Sequence, residues 1–118
     1  MAIDDLPPLV QEVVAKYPAI WEAFNQLGNC VADAGPLDEK TQRLVKLAIA
    51  VGGGLQGAVH SHVRRALAER ITAEEMRHVA LLAVTTIGWP SAIARLSWIE
   101  DIVSERSQEK RGGAARAP

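Results

Sequence analysis

Three consecutive glycines, Gly52-Gly53-Gly54, interrupt a chain whose apolar residues otherwise recur at helical spacing. Each glycine inside a helix costs about 1 kcal/mol relative to alanine, so the run must end one helix and release the chain into another. No stretch alternates apolar and polar residues over the length of a strand, and no segment repeats. The spacing therefore predicts an all-α fold, organised about the break at these glycines.

On either side of the break the helices can be placed by their punctuation. Pro7 and Pro8 suit the first turn of a short helix running to about Lys16, with Leu9, Val13 and Val14 inward. Tyr17-Pro18 ends it, because a residue preceding proline is pushed out of the α region. A second helix over 19–33 carries Ile20, Phe24 and Leu27 at the spacing of one buried stripe, with Trp21 beside them. Gly35-Pro36 closes it, and Asp38 is the expected N-cap of a third helix. The apolar set of that helix (Leu44, Val45, Leu47, Ala48, Ile49, Val51) covers more than one face, which predicts burial on two sides. A fourth helix over 55–69 gathers Val59, Val63, Ala66 and Leu67. The fifth starts at a capping box, Thr72-Ala73-Glu74-Glu75, stapled by Ile71 and Met76, and continues to Ile87 with almost no charged side. Gly88-Trp89-Pro90 opens a sixth helix ending near Glu105.

At 118 residues the chain is long enough for one core. We expect one domain over 1–106 and a disordered basic tail over 107–118. The net charge of -1 carries no footprint of nucleic-acid binding, and no apolar run approaches the length of a membrane span. The acidic N-terminus, MAIDDLPPL, is unlike a secretory signal, and the single cysteine, Cys30, fits a reducing cytoplasm as a buried thiol. Helix five is apolar nearly all round. Helix six carries two apolar rows, Ala94, Trp98, Ile102 and Ala92, Leu96, Ile99, Val103. Both features predict homo-oligomerisation, the other explanation being a helix wedged between neighbours of its own subunit.

Polar, titratable side chains concentrate just after the glycines. His60 and His62 are two residues apart, about 200° around a helix, so they face nearly opposite sides and cannot share a metal. No metal site and no cofactor are expected. His62 sits beside Val59 and Ala66 on the edge of the buried face, as a structural histidine or as an acid/base. His60 shares a side with Gln56 and Arg64 and is a candidate pocket residue. Arg64-Arg65 reads as a solvated face or an intersubunit ion pair, and His78, four residues after Glu74, as a surface group. Gly52–54 and Gly57 lack the lysine and strand context of a phosphate loop. Trp89 either walls a pocket or packs under its turn.

Taken together, LDEKTQRLVKLAIAV, HVRRAL, ITAEE and GWPSA, in this order and spacing over 37–102, resemble the carboxymuconolactone decarboxylase family, which includes the alkylhydroperoxidase AhpD-like proteins. The resemblance implies an AhpD-like helical bundle of about six helices, a close helix–helix approach at the glycines, and assembly as trimers or hexamers. In AhpD-like members a glutamate, a CxxC pair and a histidine form a thiol proton relay. Here the histidine is His62, the cysteine positions fall on Leu55 and Ala58, and the glutamate position falls on Arg43. Peroxide reduction needs a thiolate, which leucine and alanine cannot provide. The decarboxylase branch also lacks the cysteines and keeps the histidine. That branch implies His62 as catalytic acid/base for lactone or keto-acid decarboxylation. Arg43, His60, Gln56 and Trp89 are then candidates for binding a small carboxylate or lactone. A non-catalytic oligomeric or ligand-binding member of the fold is the alternative. The expected partners are further copies of the chain, with neither nucleic acid nor membrane.

Overall fold

The structure, a computed structural model, describes residues 6–116. The acidic residues 1–5 and the last two residues of the basic tail, on which part of the sequence reading rests, lie outside that range. The described residues form helices joined by turns, with no strand among them. In order these are α1 (Pro8–Lys16), α2 (Pro18–Ala32), α3 (Glu39–Gly53), α4 (Gln56–Ala68), α5 (Ala73–Leu82), α6 (Val84–Ile87) and α7 (Trp89–Arg116). The expected all-α architecture is present, with the fifth helix divided in two. Within the span read as one domain, backbone contacts separate two compact units, Met1–Glu39 and Lys40–Pro118.

In the first unit α1 packs on α2. Pro8 and Pro18 occupy first-turn positions, where the missing N–H removes no helical bond, and Tyr17 between them adopts a non-helical conformation. Leu6 and Val14 are buried. The stripe on α2 is where expected, but it is not buried: Ile20, Phe24, Leu27 and Val31 are all more than half exposed. Two helices alone have too little mass to cover both sides of either one. Cys30, on the same helix, is exposed rather than a buried thiol.

The second unit has a continuous core. Leu47, Ala50 and Val51 of α3 meet Val59, Val63 and Ala66 of α4, Met76 and Ala80 of α5, and Ile99 and Ile102 of α7. Only one side of α3 is buried, since Val45, Ala48 and Ile49 face outward. The α5 segment is likewise open at Leu81 and Leu82. Of the two rows on α7, Ala92 and Ile99 are fully covered within the chain, by the helices α4, α5 and α6 that pack on it. No described helix is long and apolar enough to cross a membrane.

Local chemistry explains the boundaries. The glycine run ends α3 in a Schellman turn: Gly54 takes φ +67°, its N–H donates to Val51 O, and Leu55 N–H donates to Ala50 O. A further donor arrives from a distance. Arg95 Nη1 of α7 donates to Val51 O at 2.7 Å and Gly52 O at 3.1 Å, placing a cation at the negative end of α3. A Cβ on Gly54 would stand 3.0 Å from that guanidinium, whereas Gly52 and Gly57 face open space. The close approach is therefore to the Arg95 side chain, not a helix against helix.

At α5 the capping box is complete. Thr72 Oγ1 accepts from Glu75 N–H, and Glu75 Oε1 accepts from Thr72 N–H, above a buried Ile71 and Met76. Lys40 pairs with the same glutamate. Arg77 fastens α5 to α7, with Nε donating to Glu100 Oε1 at 2.5 Å and Nη2 to Oε2 at 3.2 Å. The helix breaks at Ala83 because Val84-Thr85-Thr86-Ile87 is β-branched throughout. Such residues are crowded against the preceding turn, and Thr85 Oγ1 turns back to Leu82 O. At the other end α7 continues through Arg116, beyond Ser107 where the sequence reading ends order. From Gln108 to Arg111 glutamine, glutamate, lysine and arginine are good helix formers and extend it while exposed.

One boundary is strained. α4 ends in a second Schellman turn, with Ile71 N–H donating to Ala66 O and Arg70 N–H to Leu67 O, but the left-handed position is filled by Arg70 at φ +66°. That conformation costs a non-glycine residue about 1–2 kcal/mol. Arg70→Gly should therefore stabilise the fold by about 0.5–1 kcal/mol after allowing for the greater freedom of glycine when unfolded. The check is a higher urea midpoint with an unchanged m-value; an equal or lower midpoint would show no relieved strain.

Candidate functional site

The turn at Gly54 folds α3 back along α4, so a residue near the start of α3 comes level with the second half of α4. Arg43 is that residue. Its Nη1 lies 2.9 Å from His62 Nδ1, and its Nε donates to Glu69 Oε1 at 2.6 Å and Oε2 at 3.2 Å. The Arg43 side chain is only 17% exposed. The pairing of Arg43 with His62, two candidates from the sequence, is thus present, and Glu69 is added to it.

The contact determines the protonation state of the ring. A guanidinium can only donate, so His62 Nδ1 must accept and the ring proton resides on Nε2. Burial is the main force lowering the His62 pKa, followed by the charges of Arg43, Arg65 and Lys46; Glu69 opposes them. Together they push it from 6.5 down to about 4. At neutral pH His62 is therefore a neutral hydrogen-bond donor among cations. It is not the imidazolium that a proton-donating acid would need. Such an arrangement is suited to holding negative charge as it develops on a substrate oxygen.

Arg65 belongs to the same cluster. His62, Arg65 and Glu69 fall at i, i+3 and i+7 on one face of α4. Burial, then the charge of Arg43, lowers the Arg65 pKa, with Glu69 again opposing. Its Nε is buried and has no hydrogen-bond partner among the described residues. Both Arg65 and Glu69 were legible as same-face neighbours of His62 from helical period alone. Arg65 reads as a solvated face or an intersubunit ion pair because nothing local indicates what α3 brings against it.

The other candidates lie elsewhere. His60, turned away from His62, has Nε2 at 3.2 Å from Asp101 Oδ2 of α7, rather than opening outward with Gln56 and Arg64. Gln56 is exposed at the start of α4, and no described hydrogen bond joins it to His62. Trp89 is 64% exposed at the start of α7, so it does not pack under its turn. His78 is exposed, and its neighbour Glu74 pairs with Arg77 instead. Leu55 is exposed, while Ala58 packs against the core. Among the described residues no three His, Cys, Asp or Glu side chains are grouped to hold a metal ion.

The low His62 pKa predicts a stability signature. Between pH 6.5 and about 4 the unfolded chain takes up a proton at His62 that the folded chain refuses. Stability from this group is thus complete above 6.5, falls as pH falls through that window, and changes no further below it. Glu75, held down to about 2 by Lys40 and the Thr72 backbone, acts in a separate window, between 4.5 and 2. Melting curves from pH 7 to 4 should therefore flatten in His62→Gln; an unchanged slope would remove His62 as its source.

A search of curated proteins finds no match. A profile of the Carboxymuconolactone decarboxylase family matches residues 10–101. That span covers most of the chain, including both helices that meet at Arg43 and His62. It begins well before residue 37, where the resemblance in the sequence begins, so α2 also lies within the matched span. The chain belongs to the carboxymuconolactone decarboxylase family.

Proposed function

We propose that the chain is a carbon–carbon lyase of the carboxymuconolactone decarboxylase type, acting on a small lactone or β-keto acid that bears a carboxylate. The observation that carries this reading is the contact between Arg43 Nη1 and His62 Nδ1. It fixes a neutral imidazole with its proton on Nε2, inside a cluster with more cations than carboxylates. In decarboxylation the bond from the substrate carbon to its carboxylate breaks, CO₂ leaves, and the electron pair moves into the adjoining carbonyl to form an enolate. A hydrogen bond from His62 Nε2–H to that oxygen, strengthened by Arg43 behind the ring, favours the enolate over the starting acid. Water then protonates the carbon. The acid/base role anticipated for His62 becomes that of an electrophile.

The alternative, a non-catalytic oligomeric or ligand-binding protein, draws on the Arg43–Glu69 ion pair, which leaves this site no free carboxylate base. Thiol peroxidase chemistry is not proposed, because Leu55 and Ala58 occupy the positions of the cysteine pair and Cys30 has no second cysteine. Assembly into trimers or hexamers is proposed for either reading. Its support is the exposed apolar surface: Ile20, Phe24, Leu27 and Val31 on α2, and separately Val45 and Ile49 on α3.

CO₂ release from a carboxylated muconolactone and from oxaloacetate tests the activity. His62→Gln should lower kcat by about 10²-fold or more with assembly intact. The wild-type rate should keep its acid limb near pH 4 rather than 6.5. No CO₂ release from either substrate would favour the non-catalytic reading. For assembly, light scattering at micromolar concentration should give a mass several times that of one chain; a stable monomer would refute it.

A further inference from the structure

Three cations and one carboxylate surround His62, and they are not equally engaged. Glu69 gives both carboxylate oxygens to Arg43 Nε, and Arg43 Nη1 is spent on the imidazole. Arg43 is therefore answered from two sides. Arg65 lies on the α4 face between His62 and Glu69. No described carboxylate lies within ion-pair distance of it, and its Nε is occluded without a partner. The residue as a whole remains partly exposed. A surface arginine would turn its head into water. A half-buried one left unpaired costs stability, and such a cost is tolerated where a function needs the charge.

We infer that Arg65, and not Arg43, is the residue that receives the carboxylate of a small ligand at this site, Glu69 acting as the internal counter-ion that reserves Arg43 for His62. The carboxylate meets the guanidinium fork end-on through its two terminal nitrogens. Glu69 also limits what can bind: it offsets one cation, so the cluster suits a ligand of low negative charge. The assignment rests on the lyase reading only for the identity of the ligand; the binding stands apart from any turnover.

The test uses malonate as probe, with inorganic phosphate in parallel, on the full chain and on Arg65→Met, Arg65→Lys and Arg43→Gln. Malonate should raise the melting temperature of the wild type and, less strongly, of Arg65→Lys. Arg65→Met should melt higher than the wild type without ligand, having lost an unpaired charge, and should bind malonate at least about tenfold more weakly. Arg43→Gln frees Glu69, four residues along α4, to face Arg65, so malonate binding should weaken less than in Arg65→Met while the His62 ring resonances alter. The inference is overturned if wild type does not respond to malonate, if Arg65→Met binds it as wild type does, or if only Arg43→Gln loses it. Tighter binding of phosphate than of malonate overturns the carboxylate assignment. An Arg65→Met protein that melts lower and loses its assembly by light scattering makes Arg65 an interface ion-pair residue instead. Arg65-dependent malonate binding without CO₂ release would sustain this inference and remove the lyase reading. CO₂ release indifferent to Arg65→Met would do the reverse.

Discussion

The contact between Arg95 and the end of α3 is the constraint on which the second unit depends. A helix ending inside a protein leaves carbonyls that must find donors. Here the Schellman turn at Gly54 supplies donors to Ala50 and Val51, and the guanidinium of a residue far along the chain donates to Val51 again and to Gly52. The same guanidinium occupies the space above Gly54, so the turn and the position of α7 are defined together. That turn sets the register of α3 against α4. Register in turn decides that Arg43, rather than a neighbour a turn away, arrives between His62 and Glu69.

Electrostatics at the site work against stability on balance. Desolvation and three neighbouring cations keep the His62 ring neutral, while a single carboxylate counters them. The apolar neighbours Val59, Val63 and Ala66 are what hold these groups close, since all three are fully buried on the face of the same helix that adjoins His62. A site of this kind is assembled by the core beneath it and not by attraction among its own members. The carboxylate oxygens of Glu69 reduce the repulsion without abolishing it, which leaves a field suited to an incoming anion.

Features determined by neighbours in sequence were legible. The capping box at Thr72 depends on residues three apart and is found as read; the break expected of all three glycines falls at Gly54, since Gly52 and Gly53 lie inside α3. The interruption at Ala83 was equally local, but the apolar character of the segment to Ile87 concealed its β-branched run. Apolar stripes were legible as stripes, whereas what covers them was not. Ile20, Phe24 and Leu27 repeat as a core face does, yet α1 packs on α2 without covering them. His62 could be singled out from its motif. Its partner geometry could not, because the Arg43 contact joins two helices through a turn whose exact path no local pattern specifies. The contact of His60 with Asp101 was hidden for the same reason, since α7 brings the carboxylate to it through the fold.

The position of α7 has a consequence for how the molecule is made. This helix supplies Ile99 and Ile102 to the core, Arg95 to the end of α3, Glu100 to Arg77 and Asp101 to His60. It also follows, in chain order, every helix it holds. Until it docks, the α3–α4 pair has its apolar side bare and lacks the Arg95 donor, so the earlier helices wait for α7 before any of the site is fixed. A nascent chain of this design is vulnerable until α7 docks, and a truncation within that helix removes the keystone rather than a fringe.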